Sequence, residues 1–222
     1  MPVNDYEGNT FVAFLDISGF KVLMHDERRA LRALDRFYQT GFLVLSDQHS
    51  LGCRIDGFFV SDSGILFVRN HAEEIHVQLE TLLRAVERIN REMLDDDFML
   101  TTSIAYGRFS YHGRLEFTGI EKNQIYGDAY VSAFLDAETG SPKIQPGQCR
   151  VTTRGLPDNY KTFITGGYSP LFLRLKDSGR HLYFYWMVND EVEIENFEKR
   201  YNDSYNLKYA GMLQALRGRS DL

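Results

Sequence analysis

The chain is poor in several things, and each shortage excludes something. Only two cysteines occur, Cys53 and Cys149, far apart and without metal-ligand spacing. That excludes a disulfide scaffold or a thiolate zinc site, and the pair reads as free thiols in a reducing compartment. Cations are outnumbered: 25 Lys and Arg face 31 Asp and Glu, a formal charge of -6. Such a balance offers no general surface to nucleic acid or an anionic membrane, although a local basic pocket for a triphosphate stays open. No apolar run approaches the ~20 residues that span a bilayer. The opening Met-Pro-Val-Asn-Asp-Tyr-Glu lacks the basic-then-apolar pattern of a signal peptide. A soluble, cytoplasmic chain is expected. Repeats, low-complexity tracts and linkers are missing as well, so one domain over 1-222 is predicted. Hydrophobic residues at 43% supply an ordinary core.

What is present centres on residues 11–21. Phe11-Val12-Ala13-Phe14-Leu15 is an unbroken apolar run, the mark of a strand buried on both faces. Asp16 stands at its end, followed by a Ser18-Gly19 turn and a helical pattern from about Arg28. An unpaired acid at the end of a central strand costs several kcal/mol, and a divalent cation removes that cost. The amides of Ser18, Gly19 and Phe20 suit an anion-holding concavity, and Gly19 lets a phosphate come close. A metal carboxylate beside a phosphate loop is nucleoside triphosphate chemistry.

Further along, Cys53–Val60 and Gly64–Val68 flank a Ser61-Asp62-Ser63 turn and predict a β-hairpin with Asp62 at its tip. Ile75, Leu79, Leu82, Leu83, Val86, Ile89 and Met93 predict an amphipathic helix over Ala72–Leu94. The Asp95-Asp96-Asp97 run after it reads as a solvated helix-to-strand turn, since consecutive loop acids point in different directions. Met99–Tyr106 is the next strand, with a glycine-punctuated hairpin region out to Phe117. Ile125–Tyr130 then leads into a helix, and Cys149–Thr153 forms a strand. Leu171–Leu175 and His181–Val188 are expected as a late β-hairpin, and Glu195–Leu216 as a final amphipathic segment.

Phe14-Leu15-Asp16-Ile17-Ser18-Gly19-Phe20 resembles the first-strand motif of the class III nucleotidyl cyclases, and Phe59-Val60-Ser61-Asp62-Ser63-Gly64 resembles their following hairpin. The resemblance extends over roughly 10-155, through Leu100–Gly107 and Tyr126–Ala133, and leaves 156-222 as a C-terminal hairpin and helix. It implies an α+β, ferredoxin-like catalytic domain with a mainly antiparallel central sheet flanked by helices. It further implies that Asp16, Asp62 and the Ile17 carbonyl hold two Mn²⁺ or Mg²⁺ ions. One ion lowers the pKa of the ribose 3′-hydroxyl and the other grips the triphosphate. A homodimer with its sites at the subunit interface is implied too.

The departures carry information. Where purine cyclases read the base with Lys or Glu, this chain has Phe58, and at the second base-reading position Gln124. The helix positions that supply a ribose Asn and a transition-state Arg are Val131 and Leu135. Aromatic Phe58 and Phe59 suit a smaller pyrimidine site with stacking in place of polar purine readout. That pattern resembles the pyrimidine cyclases of the Pycsar anti-phage systems, which make cyclic UMP or cyclic CMP for a separate effector protein. UTP is favoured here and CTP stays open. Arg54, Arg108, Arg114 and Arg180 are candidates for the missing cation, with Lys176 and Arg180 as triphosphate partners, and His112 reads as solvated. Two rivals stand beside this reading. A diguanylate cyclase relative shares Leu15-Asp16-Ile17 and Phe20-Lys21, yet Phe58 and Phe59 occupy the places where its hairpin needs acids. A degenerate cyclase domain serving as a nucleotide-binding or dimerisation module is the other.

Overall fold

The computed structural model describes residues 4–50, 55–69, 74–117, 120–205 and 208–218. Strand β1 (Tyr6–Ile17) is its axis. Alternate side chains enter opposite layers: Phe11, Ala13, Leu15 and Ile17 one core, Val12 and Phe14 the other. Every residue from Phe11 to Leu15 is at most 5% exposed, as the unbroken apolar run requires. A short helix α1 (Phe20–Leu23) and the long α2 (Glu27–Ser50) follow. Then come β2 (Ile55–Val60), β3 (Ser63–Val68) and α3 (Ile75–Asp95). The hairpin β4 (Leu100–Phe117) and β5 (Ile120–Tyr126) leads to α4 (Asp128–Thr139) and β6 (Cys149–Thr152).

The sheet runs β2-β3-β1-β4-β6 and continues through two late strands, β8 (His181–Phe184) and then β7 (Leu175–Asp177); β5 also pairs with β4. Among the described residues only β4 and β6 pair parallel. The other ladders are antiparallel, as expected of an α+β sandwich. Helices α2 and α3 cover one face, contributing Ala33, Phe37, Leu79, Leu83 and Ile89 to the larger core. Helix α4 lies on the other face and contributes Ala129 and Ala133. Gly127, ahead of α4, has φ 125 and sits where a Cβ would come within 2.2 Å of the Arg108 carbonyl, so the strand-to-helix corner demands glycine.

Several expected elements take another form. The strand from Met99 does not stop at Tyr106 but continues as β4 to Phe117. Leu171–Leu175 is mostly a 3-10 turn, Pro170–Arg174, because Pro170 presets φ and the Ser169 hydroxyl accepts the Leu171 amide at 3.2 Å. The strand predicted to Val188 ends at Phe184. Beyond it Arg91 takes the Trp186 carbonyl at 2.6 Å and Arg174 takes the Val188 carbonyl at 2.9 Å, drawing both off the ladder. Helix α5 (Tyr160–Thr165) was not expected, and the terminal segment is two helices, α6 (Glu193–Tyr205) and α7 (Lys208–Leu216). Among the described residues no helix is long and apolar enough to cross a membrane. Cys149 is a buried free thiol whose pKa is pushed up by burial; Cys53 and Arg54 lie outside the described residues.

Candidate active site

The end of β1 and the tip of the β2–β3 hairpin are joined directly. Asp16 pairs with Ser63 in one ladder and with Thr101 in the other. The Ile17 amide donates to the Asp62 carbonyl at 3.0 Å, which fixes the hairpin tip against the strand end. The turn contains two residues, Ser61 and Asp62, with Ser61 at φ 55. Ser63, expected in that turn, belongs instead to β3, and its hydroxyl donates to Asp16 Oδ1 at 3.2 Å. Two carboxylates thus stand side by side, 46 positions apart in sequence. Burial first, and then the Asp62 charge, push Asp16 up to about 7; the Ser63 hydrogen bond opposes them and the Glu138 charge adds to them. Glu138, on the last turn of α4, is a group the sequence did not single out.

The loop after Asp16 is open. Gly19 adopts the left-handed conformation, φ 74, with nothing within 4 Å of where a Cβ would stand. Phe20 and Lys21 are the first residues of α1, so their amides have no acceptor within that helix. The Ser18 hydroxyl is buried without a hydrogen-bond partner. Its amide still donates to the Met99 carbonyl at 2.8 Å, continuing the ladder, so its side chain emerges on the Asp16 side. Adjacent acids, an orphaned hydroxyl and a free backbone turn fit hydrated divalent ions and phosphate oxygens. Among the described residues no three His, Cys, Asp or Glu side chains converge tightly enough to cage an ion. That suits Mg²⁺ or Mn²⁺, which take one or two carboxylates and complete their shells with water and phosphate.

The other predicted residues are dispersed. Phe58 is half-buried beside Tyr111, 5.6 Å between ring centroids, on the α4 face of the sheet. Phe59 points the opposite way and, partly buried, packs against the larger core: it meets Phe37 edge-on at 4.9 Å and fills the space above Gly41 and Gly64. It is therefore no wall of an open pocket. Gln124 is exposed and pairs across from His112, whereas its neighbour Ile125 is the one that joins Phe58 and Tyr111. Gln124 lies on the order of 30 Å along the ladder from Asp16 of the same chain. His112 is not merely solvated: its Nδ1 lies 3.4 Å from Asp5, and its Nε2 3.3 Å from the Tyr126 hydroxyl.

The cation candidates also lie elsewhere. Lys176 is taken by Glu198 at 2.6 Å, on the edge strand β7. Arg180 precedes β8 at the end of the sheet opposite Asp16, about 20 Å away by ladder spacing. Within one chain neither reaches the acids. Arg108 is exposed and pairs with Glu7 at 2.7 Å; the Arg114 side chain lies outside the described residues. Asp96 and Asp97 are turn acids neutralised by Arg36 and Arg217, each at 2.7 Å. Val131 and Leu135 are about half exposed on the outer side of α4.

Comparison with known proteins finds no matching family model and no matching curated protein. Solved structures do match. The monomeric guanylyl cyclase domain of the RhoGC fusion protein from the aquatic fungus Blastocladiella emersonii superposes with a TM-score of 0.55 at 12% identity, over 82% of this chain and 96% of that one. The guanylate cyclase domain of RhGC from Catenaria anguillulae, in complex with GTP, gives 0.54 at 10% identity over the same shares. The adenylyl cyclase CyaB from P. aeruginosa gives 0.53 at 13%, over 82% and 94%. The chain has the fold of a class III cyclase catalytic domain.

Proposed function

We propose that the chain is a nucleotidyl cyclase, and specifically a pyrimidine cyclase converting UTP to 3′,5′-cyclic UMP and pyrophosphate. The observation that carries the cyclase reading is the pair Asp16–Asp62: two acids, one half-buried, without a cationic side chain among the described residues, on a fold shared with cyclase domains. Two divalent ions, Mn²⁺ or Mg²⁺, supply the lowered pKa of the attacking ribose 3′-hydroxyl and the charge that offsets the leaving pyrophosphate. Asp16, Asp62 and the Ile17 carbonyl hold those ions. The amides of Ser18, Gly19 and Phe20 cradle the triphosphate, and Gly19 leaves room for its oxygens. The 3′-oxygen bonds to the α-phosphorus, the bond to the β-phosphate bridge breaks, and the hydroxyl proton passes to solvent.

The pyrimidine preference rests on Phe58, an apolar ring where a purine-reading Lys or Glu stands in related enzymes, and CTP is its alternative. A homodimer with its sites at the interface is part of this reading, and the distances support it. Gln124 is too far from its own Asp16 to share a nucleotide, and a second copy of the chain brings it within reach. Val131, Phe134, Leu135, Tyr126 and Val60 are the exposed apolar side chains suited to covering by that copy. Arg180 reaches a triphosphate only from the partner. The product then serves as a second messenger for a separate effector in bacterial anti-phage defence.

The test is product analysis. Purified chain with Mn²⁺ receives ATP, GTP, CTP and UTP separately, and products are resolved by chromatography and mass spectrometry. Cyclic UMP from UTP alone is the expected outcome; cyclic CMP moves the base, and a dinucleotide from GTP moves the family. A second reading is favoured by exposed Val131 and Leu135 at the expected Asn and Arg positions: a catalytically silent nucleotide-binding dimer. Silence with all four nucleotides from folded dimer selects it.

A further inference from the structure

Helix α4 runs alongside β1 and is held at two points that together fix what its last turn faces. Ala129 lies against Gly107, the ladder partner of Thr10 near the start of the buried part of β1. Further on, the Phe134 ring meets Phe14 edge-on, at 5.4 Å and 87°. Asp136 is clamped to the sheet by Arg150 Nε at 2.8 Å and Nη2 at 2.9 Å, Ser103 Oγ at 2.6 Å and His181 Nε2 at 2.8 Å. From the Phe14–Phe134 contact the helix advances about 6 Å to residue 138, and β1 advances about 6.6 Å to Asp16, on the same face as Phe14. The two steps match and bring the exposed Glu138 to the Asp16 end of β1, where its charge acts on Asp16.

Three acids therefore share this corner, and among the described residues none of them is paired with Lys or Arg. The buried, unpartnered Ser18 hydroxyl emerges on the same side. Among the described residues the acids do not converge into a direct cage, and a third acid that is not a direct ligand acts on an ion through its water shell. We propose that Glu138 is a positioning residue of the ion site, accepting hydrogen bonds from the water shell of a divalent cation held by Asp16 and Asp62. Mg²⁺ and Mn²⁺ bound by few carboxylates keep several waters, and outer partners of this kind are worth 10–100-fold in metal affinity. The inference rests on the two-acid ion site proposed above. It adds a residue from α4, the element on which the expected Asn and Arg positions are apolar.

The experiment is Mn²⁺ titration of the full chain without nucleotide, free Mn²⁺ being read by electron paramagnetic resonance. Glu138→Gln is expected to weaken binding by about 10-fold with an unchanged circular dichroism spectrum. Glu138→Asp should keep part of the affinity. Glu195→Gln, an exposed acid on α6, should change nothing. Wild-type affinity in Glu138→Gln, with binding lost in Asp16→Asn, overturns the role of Glu138 and leaves the ion site standing. Wild-type affinity in Asp16→Asn overturns the ion site itself.

Discussion

Asp16 and Asp136 are both half-buried or better and both lie on the α4 side of the sheet, yet their carboxyls are pushed in opposite directions. For Asp136 burial alone acts upward, but the hydrogen bond from Arg150, then that from Ser103 and the guanidinium charge, hold it below the usual carboxylate range. For Asp16 burial and the Asp62 charge act together, and only the Ser63 hydroxyl opposes them, so it rises to about 7. The difference is the counter-charge. Arg150, fully buried, is built into the fold for Asp136 and also holds the Pro142 carbonyl at 2.7 Å. Among the described residues nothing comparable is built in for Asp16. An acid whose cation is supplied by the chain is architecture, whereas one left without a cation awaits a ligand.

The largest effects separate these two carboxylates by what they damage. Asp62→Ala removes one of the two carboxylates proposed to hold the ions, at an otherwise intact hairpin tip. Cyclic nucleotide formation should fall by ~10³-fold or more, the several kcal/mol of charge stabilisation an ion contributes, while circular dichroism stays as in wild type. Unchanged turnover sinks the two-acid mechanism. Arg150→Met does the reverse, leaving Asp136 without its cation in a closed space. The fold should lose ~3–5 kcal/mol in urea unfolding, as when one partner of a buried ion pair is removed. A loss under about 1 kcal/mol would place Asp136 in water and dissolve the contrast.

Much of the Asp16 side was legible in the sequence because its signals are local. An apolar run, an acid at its end and two strand-like runs around a polar turn lie within residues 11–68, and such runs and turns announce a buried strand and a hairpin. The Asp136 side was opaque because its partners come from afar: Ser103, Arg150 and His181 belong to three different strands. No periodicity announces that an acid at 136 will meet an arginine at 150. Glu138 was missed for the same reason, since only the packing of α4 on β1 brings it to Asp16. Phe58 and Phe59 show the opposite error. Adjacent in sequence, they suggest one stacking surface, and strand alternation sends them to opposite faces. In the tail, hydrophobic periodicity suggested strands where Ser169, Pro170 and two arginines draw the backbone off the ladder.

The next effect is smaller and runs with pH. Burial and then the Asp62 charge push Asp16 up to about 7, well above the usual carboxylate range, so without metal the folded state binds this proton more tightly than the unfolded one. Its penalty is absent below about pH 4, grows between 4 and 7 and is complete above 7. Asp16→Asn removes the ionisation. The thermal midpoint of the metal-free variant should exceed that of wild type by a margin growing from pH 5 to 8. Saturating Mn²⁺ should narrow the margin at pH 8 by stabilising wild type alone. A margin independent of pH would mean that Asp16 is not the titrating group.

The smallest effect concerns the one group that favours ionised Asp16. The Ser63 hydroxyl donates to Oδ1 and draws the carboxyl downward against burial. Ser63→Ala deletes that donor while β3 keeps its backbone pairing with β1. The loss should be about 1 kcal/mol at pH 8, the ordinary worth of one hydrogen bond in a partly exposed setting. It should shrink at pH 5, where Asp16 is protonated and has less need of a donor. Because deletion moves Asp16 further up, the pH window of the previous experiment should shift upward in this variant, and Mn²⁺ affinity at pH 7 should fall as more of the site is protonated. A Ser63→Ala loss equal at both pH values would show that the hydroxyl supports the hairpin rather than the charge.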